Sequence, residues 1–345
     1  MMNKDMGQMD QEMVMAVESL FLIVNQRGRY PIAMLAGMLS QDETRIRAAV
    51  LRLCQLSNLF VFDEAENTLE TIDSYIPLDS LAIRQQLPLA LRQKVSISRF
   101  FVTGSTNSDL ENIALTDANC DAGDLAAIAV AEMQQGGKGR RAKRWVSPLA
   151  KNLYFSFKYQ FAAESLPYLS SLSLRVGFAL LASLQTLGIE DARLKWPNDI
   201  WVNGQKLAGI LVESTMTAKA MTVIIGIGVN NQQDQLQEII GNHPTNCEAI
   251  LDQPLDRNVL IGILTTKLYT LCQQISEAPE SLEPLNTSWP DNSVFYGKKV
   301  RLISDKTEII GTEVGIDDNG ALLIQDEAGQ ISGIYSGELS LRAFE

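Results

Sequence analysis

Leu125-Ala-Ala-Ile-Ala-Val-Ala-Glu-Met-Gln-Gln-Gly-Gly-Lys-Gly-Arg-Arg-Ala-Lys-Arg-Trp145 joins an apolar run to a glycine-rich basic loop. Leu125–Met133 is almost unbroken in its apolar character and reads as a strand. Three glycines and five cations (Lys138, Arg140, Arg141, Lys143 and Arg144) then follow in a chain that is otherwise acidic. Glycine lets backbone N–H groups approach a ligand closely, and guanidinium groups bind carboxylate or phosphate through charge-assisted, often bidentate bonds. The combination suits a ligand with several anionic groups. A solvated basic loop or a nucleic-acid patch is the plainer alternative.

Working outward, strands and helices alternate over roughly 81–285. Val95–Val102 reads as a strand, followed by a helix with Ser105 and Thr106 as cap candidates. Leu153–Phe161 alternates like a strand. Leu169, Leu172, Val176, Leu180 and Leu187 mark a long amphipathic helix. Arg193–Trp196, Lys206–Glu213 and Met221–Gly228 read as three more strands, and Asn203-Gly204 is a type I′ hairpin signal. The plan is α+β: a central mixed or antiparallel sheet with helices on one face.

Before it, Val14, Val17, Phe21 and Val24, then Met34, Leu35 and Met38, then Ile46, Val50, Leu53 and Leu56 predict three short helices. Leu59–Phe62 and Thr68–Ile72, separated by the polar turn Asp63–Asn67, read as a hairpin. Helix, short helix, helix, hairpin is the plan of a winged helix-turn-helix, here assigned residues 1–80, with Pro77 and the polar run Asp79–Gln86 as the bridge. After it, short β segments punctuated by Gly311, Gly315, Gly320, Gly329 and Gly337 predict a small β-barrel over 286–345.

The chain has 345 residues, 46% of them apolar, and a formal charge of −12. That balance argues against a general nucleic-acid coat or a membrane-surface binder. Cys54, Cys120, Cys247 and Cys272 are too widely spaced for a CxxC pair and read as reduced thiols of a cytoplasmic protein. Asp5, Asp10 and Glu12 in Met1–Val17 fit neither a signal peptide nor a spanning helix.

Four further motifs could carry chemistry. In Lys195-Trp-Pro-Asn-Asp199, Pro197 keeps the chain out of regular helix, so Asn198 and Asp199 can turn their polar ends into one place; it also reads as a simple turn. Lys206 opens the apolar strand Lys206-Leu-Ala-Gly-Ile-Leu-Val-Glu213 and can stay solvated or extend toward an anion, with Gly209 leaving room beside it. Gly104-Ser-Thr-Asn107 offers ordinary helix caps, or donors and acceptors for a neutral polar ring. Gly226-Ile-Gly-Val-Asn-Asn231 reads as a strand end or as a nucleotide contact.

Together and in this order, these motifs resemble the biotin protein ligase family over nearly the whole chain. Gly337-Glu-Leu-Ser-Leu-Arg342 resembles the close of its SH3-like barrel, and the N-terminal plan resembles the bifunctional bacterial members, which are both ligase and biotin-operon repressor. The resemblance implies a class II synthetase-like catalytic sheet that uses biotin, ATP and Mg2+, a biotin carboxyl carrier protein as partner, and a ligand-strengthened homodimer. It implies that Ser105, Thr106, Asn107 and Gln134 address the biotin ring. Lys138, Gly139 and Arg140 would close over the valeryl chain and adenylate, and Lys206 would stand near the biotin carboxylate and activated phosphate. Lys195, Asn198 and Asp199 would surround the reacting phosphate and incoming lysine. Arg141, Lys143, Trp145 and Asn230 would serve the nucleotide, Asn230 at the adenine; which residues would hold the metal is left open. The sequence departs from the family pattern at Lys138, where arginine is usual. Near the adenine, Val146 follows Trp145, and the segment around His243 offers no tryptophan.

The implied reaction brings a carboxylate onto the α-phosphate of ATP, so cations must be placed for the transition-state charge, with Arg140, Lys206 and Mg2+ as suppliers. The mixed anhydride would hydrolyse in water, which gives a glycine-rich loop a reason to fold over it. DNA binding stays open. Residues 1–79 hold six cations and twelve acids. Asp42 and Glu43 open the expected recognition helix, where they suit the helix dipole but not phosphate. Arg45, Arg47 and Arg52 remain candidates for a cationic stripe.

Overall fold

The computed structural model of the chain describes residues 11–115, 125–217, 220–232, 244–303, 308–335 and 340–344. Cys120, the segment around His243 and the first half of the Gly337–Arg342 motif lie outside the described residues. In chain order the elements are α1 (Gln11–Ile23), β1 (Gly28–Pro31), α2 (Ile32–Leu39), α3 (Glu43–Leu56), β2 (Phe60–Asp63), β3 (Thr68–Thr71), α4 (Ser80–Gln86), β4 (Val95–Thr103) and α5 (Thr106–Glu111). Then come β5 (Ala126–Gln134), β6 (Leu153–Ala162), α6 (Leu172–Thr186), β7 (Arg193–Lys195), β8 (Asp199–Val202), β9 (Gln205–Met216), β10 (Ala220–Val229), α7 (Cys247–Leu251) and α8 (Arg257–Glu277). The chain ends with α9 (Leu285–Asn292), β11 (Lys299–Ile303), β12 (Glu308–Ile316), β13 (Leu322–Gln325), β14 (Ile331–Ile334) and β15 (Ser340–Ala343).

The first module follows its hydrophobic spacing. Val17, Leu20 and Phe21 of α1 pack on Ile46, Ala49, Val50 and Leu53 of α3, all fully buried. Asp42 caps α3 by accepting from the Arg45 N–H at 2.9 Å, which satisfies one of the helix's free donors. The β2–β3 hairpin forms as expected and gains β1 on its outer side, in the order β1-β3-β2. That third strand is missed by pattern because Gly28-Arg-Tyr-Pro31 is short and bounded by two poor strand formers.

The central sheet has seven strands in the order β4-β5-β6-β10-β9-β8-β7. β4 and β5 are parallel and the other neighbours antiparallel, so the sheet is mixed. Its two faces differ. Phe155, Phe157 and Tyr159 of β6 enter the large core shared with α6 and α8. Ala127 and Ala129 of β5 and Ile224 of β10 meet Leu110 of α5 on the other side. The expectation of helices on one face therefore holds for the long helices and fails for α5, whose six residues are too few to show a period.

Two other expectations change. Asp79–Gln86 is not an open bridge: Asp79 caps α4 through the Ala82 N–H at 2.7 Å, and α4 packs on α8 at Gly262, where a Cβ would fall 2.2 Å from Gln86 Cβ. Asp199–Val202 is a strand of its own, too short to show alternation, and the Asn203-Gly204 turn with φ of 50° and 78° joins it to β9.

The last five strands form a sheet in the order β14-β13-β12-β11-β15, and Val300, Leu302, Ile316, Leu322 and Leu341 join the large core. Trp196 Nε1 donates to the Gly320 carbonyl at 3.1 Å, tying this module to the Lys195–Asp199 segment. At the other end a buried ion pair anchors the entry to the sheet. Arg257 Nη2 lies 2.7 Å from Glu132 Oε2 and also donates to the Ile76 carbonyl, while the Leu78 N–H donates to Glu132 Oε1 at 2.6 Å. No helix among the described residues is long and apolar enough to cross a membrane.

Candidate active site

The basic loop is built as a narrow turn clasped to its surroundings. Gly136 N–H donates to the Gly104 carbonyl at 2.7 Å, Trp145 N–H to Gly137 at 2.9 Å and Gly139 N–H to Lys143 at 2.7 Å. Gly137 has no room for a side chain, since a Cβ would fall 2.4 Å from the Trp145 carbonyl oxygen. Lys138 reaches Ser108 Oγ at 3.0 Å, and Arg144 donates to the Gln135 carbonyl at 3.2 Å. The loop forms one wall of a cleft of about 920 Å³, faced by Pro197 and by Ile210–Glu213 of β9.

The polar residues expected around a ring gather behind the loop and are tied to the cleft through Glu213, which lines it. Gln134 Oε1 accepts from the Thr106 N–H at 2.9 Å and from Thr106 Oγ1 at 3.2 Å, and Gln134 Nε2 donates to Ser147 Oγ at 3.1 Å. Asn107 Nδ2 donates to Glu213 Oε2 at 2.6 Å, while Ser156 Oγ donates toward Asn107 Oδ1 at 2.5 Å. Gly226 lies directly beneath, where a Cβ would fall 2.4 Å from Asn107 Oδ1. Ser105 stands at the N-cap position of α5 but makes no side-chain cap bond, contrary to the simple cap reading.

The charged residues form a second group, reached from the cleft through Arg140, which lines it. Arg140 Nη1 donates to Asn198 Oδ1 at 3.1 Å, and Asn198 Nδ2 donates to the Ile210 carbonyl at 2.7 Å. Next in the chain, Asp199 Oδ1 lies 2.7 Å from Lys206 Nζ. The Lys206 ammonium also stands 5.4 Å from the Trp145 ring centre. Gly209 makes the room expected of it: a Cβ there would fall 3.2 Å from both Lys206 Nζ and Trp145 Cζ3. Gly228 receives the Trp145 indole, 2.4 Å from where a Cβ would be. Arg140, Asn198, Asp199, Lys206 and Trp145 thus form one connected set.

Lys195 completes that set. Its Nζ sits 3.7 Å from the Trp201 ring centre, a favourable cation–π arrangement. Burial lowers its pKa to about 8; Asp199 opposes the shift, while Lys206, Arg342 and Lys143 add to it. Burial also pulls the Arg140 guanidinium pKa down, helped by Arg141 and opposed by Asp199. In both groups burial is the main cause, and an anion bound nearby would favour the charged forms.

Asn230 is anchored by its side-chain amide to the backbone. Its Nδ2 donates to the carbonyls of Thr245 at 3.1 Å and Lys206 at 3.4 Å, and the residue is 4% exposed, so it braces the strand start that carries Lys206. Arg141 and Lys143 are exposed on the rim of the cleft. Among the described residues no cluster of three or more His, Cys, Asp or Glu side chains that could hold a metal ion occurs. In the first module the arginines form no single stripe. Arg45 and Arg52 share a face of α3, whereas Arg47 lies about 160° away at 100° per residue. Arg45 pairs with Glu12 at 2.9 Å, Arg52 bonds Gln55 at 2.7 Å, and Arg47 lies 5.0 Å over the Phe62 ring.

Residues 102–230 match the model of the biotin/lipoate A/B protein ligase family, and residues 295–342 match that of the biotin protein ligase C-terminal domain. The bifunctional ligase/repressor BirA of Salmonella typhimurium is 37% identical over 217 residues, 63% of this chain and 67% of that protein. The chain belongs to the biotin protein ligase family. BirA of Escherichia coli K12 is likewise 37% identical over 219 residues, 63% of this chain and 66% of that protein, so the match spans about two thirds of these relatives. A solved biotin protein ligase from Aquifex aeolicus, in complex with biotin and ATP, aligns with a TM-score of 0.61 at 26% identity. It covers 72% of this chain and 99% of that one.

Against this biotin protein ligase background, several site residues escape sequence reading. Glu213, Ser147, Ser156 and Trp201 each hold a motif residue in place. The available signal is in β6: Ser156 and Lys158 are polar residues inside an apolar strand, two apart and so on one face.

Proposed function

We propose that this chain activates biotin with ATP, forming biotinyl-AMP and pyrophosphate, and then transfers biotin to a lysine of a biotin carboxyl carrier protein. One observation carries the reading: Arg140 and Lys206, far apart in sequence, are joined through the adjacent residues Asn198 and Asp199, and Arg140 and Pro197 of these segments line the cleft. A cleft of this size suits a ligand of several hundred Å³, and the Aquifex relative, solved with biotin and ATP, supports the choice of ligands.

In the first step the biotin carboxylate attacks the α-phosphate and pyrophosphate leaves. Arg140, Lys206 and Lys195 supply the positive charge against which the two anions meet, and fixed placement of the reactants supplies much of the remaining rate. A magnesium ion bound with the nucleotide would add positive charge against the ATP phosphates beside Arg140 and Lys206. Ser105, Thr106, Asn107 and Gln134 orient the ring, and the loop from Lys138 to Arg144 shields the anhydride. Arg141, Lys143 and Trp145 flank the nucleotide. In the second step Asp199, drawn off Lys206 as the ammonium engages the acyl-phosphate, orients the acceptor amine or takes its proton. The amine nitrogen then attacks the acyl carbon and AMP departs.

In this reading residues 1–80 form a winged helix-turn-helix, 81–285 the class II synthetase-like catalytic domain and 286–345 an SH3-like barrel, in a cytoplasmic, ligand-strengthened homodimer. The bifunctional names of the BirA relatives favour an added repressor role. The acid excess of residues 1–79 and the internal pairing of Arg45 and Arg52 weigh against it. A salt-dependent mobility shift of a biotin-operon fragment, strengthened by biotin and ATP, decides that question. The ligase reading is tested with labelled biotin or lipoate, ATP and a biotin carboxyl carrier domain. Label transferred from biotin supports it, and transfer from lipoate alone or from neither overturns it.

A further inference from the structure

Lys158 is a buried ammonium that none of the site motifs uses. It lies on β6, is 7% exposed, and donates to three backbone carbonyls: Leu110 at 2.7 Å, Glu111 at 3.3 Å and Ile113 at 2.6 Å. Leu110 and Glu111 close α5 and Ile113 follows it; the Leu110 carbonyl also accepts from the Ile113 N–H at 3.2 Å, and a cation at this end of a helix complements its dipole. The three donors of the ammonium are matched by three acceptors, so a group that is costly to bury is fully satisfied.

Two residues earlier on the same face of β6, Ser156 holds the other end of α5. Its Oγ lies 2.7 Å from Thr106 Oγ1 and 2.5 Å from Asn107 Oδ1. One strand face therefore grips both ends of a six-residue helix. A helix that short does not persist by itself. Its order comes from these contacts, the packing of Leu110 and the Thr103–Asp109 bond at 2.7 Å. Since α5 opens with Thr106 and Asn107, the geometry of that ring-facing pair depends on where its C-terminal end is pinned.

We propose that Lys158 is a positioning residue for biotin: by clamping the C-terminal carbonyls of α5 it pre-orders Ser105, Thr106 and Asn107 for the biotin ring. The inference rests on the ligase reading above. Pre-ordering a recognition element lowers the ordering cost of binding, so its loss belongs in the affinity for biotin and not in the chemical step.

The test is Lys158→Met, which keeps the length of the side chain and removes the ammonium, with Lys158→Gln read in the same way should the methionine variant fail to fold. Biotin-dependent biotinyl-AMP formation and amide hydrogen exchange are measured on the full chain. The expected result is a KM for biotin raised about tenfold or more, with kcat and the KM for ATP within about twofold of wild type. Exchange should accelerate at residues 109–113 while β9 and β10 keep their protection. An unchanged KM for biotin in a folded variant overturns the inference, as does a loss of protection spread evenly through the sheet. A wild-type chain that forms no biotinyl-AMP overturns the ligase reading instead, and the exchange result then judges the clamp on α5 alone.

Discussion

Lys206 Nζ stands 2.7 Å from Asp199 Oδ1, so the ammonium at the start of β9 is held by the carboxylate at the start of β8. Each group offsets the other's charge in this pair. In the proposed reaction, an acyl-phosphate that draws Lys206 toward itself would free Asp199 for the second step. Asp199→Asn keeps the shape of the side chain and removes its charge. The expected outcome is near-normal biotinyl-AMP formation and a transfer to the acceptor lysine slowed by about 10²–10⁴. Single-turnover transfer from preformed adenylate checks this, and undiminished transfer argues against proton acceptance by Asp199.

Lys195 gives a proton-linkage prediction. Its folded pKa of about 8 lies below its ordinary 10.5. Between those values the unfolded chain holds a proton that the folded chain has shed, so this group makes stability rise with pH across the window. A bound phosphate reverses the shift by favouring the charged ammonium. Nucleotide binding near pH 8.5 is therefore expected to take up a fraction of a proton, and Lys195→Met to abolish the uptake. Calorimetry in buffers of different ionisation enthalpy reads it directly. Equal uptake in the variant places the linkage elsewhere.

Two glycines of β10 separate the two halves of the site. Gly226→Ala drives a methyl into Asn107, and Gly228→Ala drives one into the Trp145 indole, each at 2.4 Å without relaxation. The first is expected to raise the KM for biotin and the second the KM for ATP, each by about tenfold or more, in keeping with about 1–3 kcal/mol for an overpacked contact. Steady-state kinetics with each substrate varied checks the division. The opposite pairing would exchange the two ligand halves of the site.

The Glu132–Arg257 pair is 0% and 3% exposed in its two side chains. Breaking such a pair leaves a buried charge alone, at about 3–5 kcal/mol. Glu132→Gln should lower folding stability by roughly that amount, measured by urea unfolding. It should also loosen the Ile76–Leu78 backbone, which the pair anchors, and an early proteolytic cut near residue 77 is the expected sign. Unchanged stability would show that the pair is replaceable by its surroundings.

Much of this fold is legible because its signals are periodic or chemically unusual. The three N-terminal helices, the Asn203-Gly204 hairpin and the basic loop each carry a local mark that survives in the three-dimensional structure. The failures are equally physical. α5, β1 and β8 are too short to show a period, and α4 hides its one buried contact, Ile83, in a polar run. Within the site, motif reading picks out chemically unusual groups such as the basic loop, Lys195–Asp199 and Lys206. It passes over Glu213, Ser156 and Lys158, because a residue that orients another is marked only by where the sheet brings it. Asn230, a motif residue, also gives its amide N–H groups to the backbone, a contact the motif does not announce.

The convergence of Arg140 and Lys206 on one acyl-phosphate is tested most directly by the rate of biotinyl-AMP formation in Lys206→Met, measured as pyrophosphate release from biotin and ATP in a protein shown to be folded. Removing one preorganised charge from the transition state should slow that step by about 10²–10³. A folded Lys206→Met protein that forms biotinyl-AMP at the wild-type rate would contradict the placement of Lys206 at the reacting centre, and with it the proposed joining of the two cations.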